Sequence, residues 1–162
     1  MTILTCADID LTNLQNLLSK YNLILHTIED NKVIPGSWFG DSEAGIIKNN
    51  LYIRMDTPVH SALHESCHYI CMDPERRQNL HTDAGGDYDE ENGVCYLSIL
   101  LSEYIDGFGQ ERMFSDMDEW GYTFRLGSSK AWFEDDAEDA FEWLVECKII
   151  NNKQNTLWNI RQ

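Results

Sequence analysis

His64-Glu65-Ser66-Cys67-His68 is the stretch of this sequence best equipped for chemistry. On an α-helix, residues four apart project from one face, one turn from each other. Two imidazoles placed so can share a zinc ion at about 2.0–2.1 Å each. Glu65, next to the first ligand, would point at a water on the metal rather than at the metal. It could then take a proton from that water as general base, while zinc lowers the water's pKa. The plainer alternative is a histidine-rich amphipathic helix whose imidazoles are satisfied in a core. His60 continues the same stripe one turn earlier, either near the site or as an ordinary surface or cap-region histidine.

These residues need a helix to carry them, and the sequence supplies one. Ala44 to Ile47 and Leu51 to Arg54 are β-prone runs separated by Lys48-Asn49-Asn50, where asparagine tolerates positive φ, so a tight hairpin is expected. Asp56 or Thr57 can cap the following helix, with Pro58 in its first turn and a stop near Met72, before Pro74. A loop through His81-Thr82-Asp83-Ala84-Gly85-Gly86 leads to a second long helix, from about Asp89 to Asp106, stopped by Gly107.

Elsewhere, leucines at helical spacing predict a first helix from about Leu11 to Tyr21, then a strand over Leu23 to Ile28 with Val33-Ile34 returning against it. A short helix over Gln110 to Met117 and an irregular stretch over Gly121 to Leu126 follow. A last helix is expected from about Ala131 to Ile150, with Glu134-Asp135-Asp136 at the positive end of its dipole. The expected class is α+β, helix-rich, with a small sheet ahead of the histidine helix, in one domain over residues 1–162.

A catalytic zinc site needs a third protein ligand and an open position. Glu90 and Glu91, at the start of the next long helix, are the nearest carboxylate source. Here the chain resembles the zincin-type (HExxH) metallopeptidases, and within them the gluzincins, in which a downstream helix supplies a glutamate. It is particularly similar to the ImmA/IrrE-like metallopeptidases over about residues 44–101. Those carry Glu-x-x-Ala-x-x-Phe-Ala-x-x-Leu-Leu, and Glu90, Gly93, Tyr96, Leu97, Leu100 and Leu101 match its spacing, with small Gly93 letting this helix approach the zinc helix.

The resemblance implies a zinc-dependent metallopeptidase with a zincin-like fold. His64, His68 and Glu90 would be the metal ligands, Glu65 the catalytic base, and peptide or protein the substrate. Leu97 stands where the pattern prefers a small residue, so Glu91, whose +7 neighbour is Ser98, is the alternative ligand. Zincins also use aspartate, which keeps Asp83 and Asp87 open. His81 would make a three-histidine site, and a Cys71 thiolate would close the site toward a structural role. Leu51 to Arg54 would be the edge strand that aligns substrate by β-addition. Tyr88, His81 and Tyr104 are open for steadying the oxyanion. If Asp87 is the N-cap, Glu90 could instead complete a capping box.

Two other functions stay open: a zinc-stabilised interaction domain that cleaves nothing, and a hydrolase of small amides. Composition narrows the rest. Lysine and arginine number 12 against 28 aspartates and glutamates, a net charge of −16, so nucleic acid is not an expected partner. No run approaches the roughly 18 apolar residues that span a bilayer. The five irregularly spaced cysteines do not read as a disulfide framework, Cys67 and Cys95 being expected as small buried hydrophobes. Residues 1–10 lack a basic segment followed by an apolar run, so a cytoplasmic setting is expected.

Overall fold

A computed structural model describes residues 2–162 of the chain. After a short 3-10 turn come α1 (Leu11–Ser19), β1 (Ile24–Thr27), β2 (Gly45–Ile47), β3 (Asn50–Ile53) and α2 (Val59–Cys71). Then follow α3 (Pro74–Gln78), α4 (Tyr88–Ser102), α5 (Gly109–Trp120), α6 (Ser129–Asp135) and α7 (Glu138–Glu146). The class is α+β, as expected. Among the described residues no helix is long and apolar enough to cross a membrane.

The hairpin forms where the sequence puts it. Lys48 turns the chain at φ 52°, and β2 pairs antiparallel with β3, Ile46 opposite Leu51. β1 pairs parallel with β3 on its other side, giving the order β1-β3-β2. β3 is therefore central, with both backbone edges paired, which corrects its expected role as a substrate-aligning edge. The outer edge of β2 is also engaged, since Ile46 N donates to Gly36 O and Thr82 N donates to Ile46 O. Val33-Ile34 forms no strand.

Leu51, Ile53 and Ile46 point from the sheet onto α2, whose Val59, Ala62, Leu63, Cys67 and Ile70 are wholly buried in the same apolar core. α2 has almost no exposed face, and its ends are secured by other means. Pro58 stands at its N-cap rather than in its first turn. At the far end the buried Arg77 guanidinium donates to the carbonyls of Tyr69, Ile70 and Met72, which have no helical partner left. Arg77 also donates to Arg161 O, tying the end of the chain to the end of α2.

α4 packs along α2, and α7 packs along α4. Gly93 serves the second contact: a Cβ there would lie 2.6 Å from the Trp143 ring on α7. The expectation that Gly93 opens a close approach to the zinc helix is corrected accordingly. The single C-terminal helix is also corrected, because it breaks at Asp136-Ala137. Three acids would crowd the negative end of α6, and Asp136 turns instead to Arg125. The helix restarts as α7 with Glu138 and Asp139 at its positive end.

Candidate metal centre

α2 turns His64 and His68 into one cavity of about 620 Å³, together with Glu65. The two rings stand edge to face, with their Nε2 atoms 3.1 Å apart. Two nitrogens bound tetrahedrally to one zinc would be about 3.3 Å apart by the same bond lengths. Glu91 Oε2 lies 3.7 Å from His68 Nε2, and one ligand atom from each of His64, His68 and Glu91 lies within 4.8 Å of the others. The three could hold a metal ion, and three donors would leave a four-coordinate ion one position open.

The expected first choice, Glu90, is corrected by its surroundings. Asp87 does cap α4, accepting from Glu90 N at 2.9 Å, but the Glu90 side chain does not return to complete a capping box. Its carboxylate instead takes both Arg76 amino groups at 2.8 and 2.9 Å, and Arg161 at 3.1 Å. Gly86 makes room for it, since a Cβ there would lie 2.1 Å from Glu90 Oε2. A carboxylate so held by two guanidiniums is neutralised before a metal arrives. Its neighbour Glu91 is fixed differently: Gly86 N donates to Oε1 at 3.0 Å, leaving Oε2 toward His68.

The electrostatics of the cluster are those of groups kept from water. Burial holds the His64 pKa down to about 3, with His68 adding to it. Burial and then Arg76 bring His68 to about 4, against the opposing Ala84 carbonyl. Both rings are neutral at pH 7, so each has a lone pair for a metal. Glu65 is pushed up to about 8 by burial first, then by Glu43 and Glu91. Glu91 is raised as well, chiefly by burial. The Nδ1 atoms of both histidines are buried without a hydrogen-bond partner.

Other expected residues fall elsewhere. Asp83 lines the cavity but is not in the ligand group, and Asp87 is spent on the cap. His81 is exposed and bonds Thr82 Oγ1. Cys71 and Cys67 are buried in the core, where burial raises both thiols well above their usual range. Tyr88 is 72% exposed, and Tyr104 packs edge-on against Trp158; neither lines the cavity.

His60 is not a surface residue. It is fully buried, with Nδ1 3.3 Å from the Tyr122 hydroxyl. Tyr122 itself lies edge-on to His64 and lines the cavity with Trp120, Trp38, Phe39 and Glu43. None of these five was singled out from the sequence. Trp38, Phe39 and Glu43 arrive from the long connection before β2, Trp120 from the last turn of α5 and Tyr122 from the irregular stretch after it, and no motif marks such segments. No protein-family model, curated protein or solved structure matches the chain.

Proposed function

We propose that the chain is a zinc-dependent metallopeptidase of the zincin type, with His64, His68 and Glu91 holding the ion and Glu65 acting as general base. The convergence of the two imidazole Nε2 atoms at 3.1 Å, with a glutamate oxygen behind them, carries this reading. Two nitrogens and one carboxylate oxygen with an open position are the donor set of catalytic rather than structural zinc. When bound, zinc supplies a Lewis acid that lowers the pKa of water and polarises a carbonyl.

The chain's own residues supply the rest. Glu65 lines the same cavity one residue after His64; a cation held there would favour its ionised form, in which it can accept a proton from water and pass it to the leaving nitrogen. Gly86 N holds Glu91 in place, as a ligand carboxylate needs to be held. Tyr122, bonded to His60, brings a phenolic donor to the wall, and we assign it to the developing oxyanion.

A second reading, hydrolysis of a small amide, is favoured by one observation. β3 has no free edge along which an extended substrate could add. Metal analysis of the purified chain, with a peptide library and a small-amide panel screened before and after chelation, tests both readings. The peptidase reading expects one zinc per chain and peptide cleavage that chelation stops and zinc restores. Cleavage of small amides alone would favour the second reading. A chain that takes up no metal would overturn both.

A further inference from the structure

The cavity carries more negative charge than a metal site requires. Glu43, Glu65, Asp83 and Glu91 line it, and no lysine or arginine does. A divalent cation held by the two imidazoles answers Glu65 and Glu91. Glu43 and Asp83 lie outside that balance, and among the described residues neither has an ion-pair partner. Arginines 54, 76, 112, 125 and 161 all pair with carboxylates elsewhere.

Glu43 also shares the cavity wall with aromatic side chains. Its Oε1 accepts from Trp120 Nε1 at 3.2 Å, and its backbone N–H closes a turn onto Gly40 O, just beyond Trp38 and Phe39. Those three rings are 41%, 60% and 78% exposed, yet all face the one cavity. A carboxylate beside exposed aromatic faces suits an alkylammonium or guanidinium, since the acid answers the charge and the rings its polarisable stem. An apolar ligand would cover the rings but leave Glu43 with the Trp120 N–H alone and no counter-charge, which costs free energy. An anionic ligand would meet Glu43 and Asp83, the two acids that the metal leaves unanswered.

We propose that this cavity selects peptide segments bearing lysine or arginine, with the cationic side chain at Glu43 against Trp38, Phe39 and Trp120. The inference rests on the metallopeptidase reading for the kind of molecule, but recognition is a binding property and is testable without cleavage. The net charge of −16 works in the same direction, drawing cationic segments to the surface.

The test uses the zinc-loaded full chain carrying Glu65→Gln, so that no peptide is consumed. Fluorescence anisotropy compares one labelled decapeptide with lysine, arginine, norleucine or glutamate at its centre. The lysine and arginine peptides are expected to bind about tenfold more tightly than the norleucine one, with the advantage shrinking as salt rises. Adding Glu43→Gln should bring the lysine-to-norleucine ratio close to one, zinc content on the same samples certifying an intact site. Equal affinity for lysine and norleucine peptides, or a preference that survives Glu43→Gln, would overturn the proposal. Cleavage is scored separately on the unmutated chain: its absence would count against the peptidase reading and leave the binding result standing.

Discussion

Glu90 and Glu91 leave α4 side by side and enter opposite surroundings. Glu90 is 2% exposed and lies in a knot with Arg76 and Arg161, where every carboxylate oxygen meets a guanidinium. Its presence raises the Arg76 pKa, first through their hydrogen bonds, which is how a matched ion pair behaves. Glu91 faces two neutral imidazoles and pairs with no arginine, Arg76 acting on it only at a distance, and burial first raises its pKa. One region has settled its charge within the fold, and the other has an unmet demand for positive charge. Structural ion pairs and ligand sites are told apart by that balance, even one residue apart on one helix.

Substitutions break the comparison most strongly at the metal cluster. His64→Ala and Glu91→Gln should each weaken zinc binding by more than the roughly 10–100-fold that losing an outer partner costs, whereas Glu90→Gln should leave zinc uptake intact. Competition with a chelating dye measures all three. Zinc loss in Glu90→Gln with retention in Glu91→Gln would reverse the assignment. Next in size is Glu65→Gln, which should keep its zinc and lose about 10²–10⁴-fold in any hydrolysis. Turnover at full zinc occupancy is the measurement, and undiminished hydrolysis would remove Glu65 as the base.

The pair of glutamates also shows how far the sequence could be read. The i, i+4 spacing of His64 and His68 places two rings together wherever a helix forms, so that part of the site was legible. The hairpin ahead of it was equally so, because Lys48-Asn49 can turn tightly. Glu90 against Glu91 was not legible, since what separates them is Arg76 on α3 and Arg161 near the end of the chain. Local periodicity says nothing about contacts over such separations. Glu43, Trp120 and Tyr122 escaped for the same reason, and β3 became central because of β1, more than twenty residues upstream. The break between α6 and α7 was partly legible, because three successive acids suit the end of no helix but its first turn.

On the structural side of the comparison, Glu90→Gln should cost stability. Removing the charge leaves two guanidiniums facing a neutral amide, a change that costs about 3–5 kcal/mol for a fully buried pair. Arg76 and Arg161 keep access to water, with side chains 38% and 30% exposed, so about 2–3 kcal/mol is the expectation. For a chain of this length that lowers Tm by roughly 5–10 °C. The melting temperature of the chelated protein checks it, and Glu91→Gln under the same conditions should move Tm much less.

The smallest effect separates the two regions by acid. His60 sits behind the cavity, with Tyr122 and His64 as its polar neighbours, and burial first and His64 second hold its pKa down to about 3. In the unfolded chain the same ring takes up a proton near pH 6.5. Between those values the unfolded state binds the extra proton, so stability falls as pH falls from about 6.5 and stops falling near 3. One such ring contributes a loss of about 1 kcal/mol over the first pH unit below 6.5. His64 and His68 titrate in the same direction in the chelated chain, so the wild-type slope contains all three. His60→Gln removes one proton from that balance and should flatten the slope by its share, visible in urea midpoints at pH 6.5 and 5.5. Glu90→Gln leaves all three histidines in place, so it should lower both midpoints and leave their contribution to the slope unchanged.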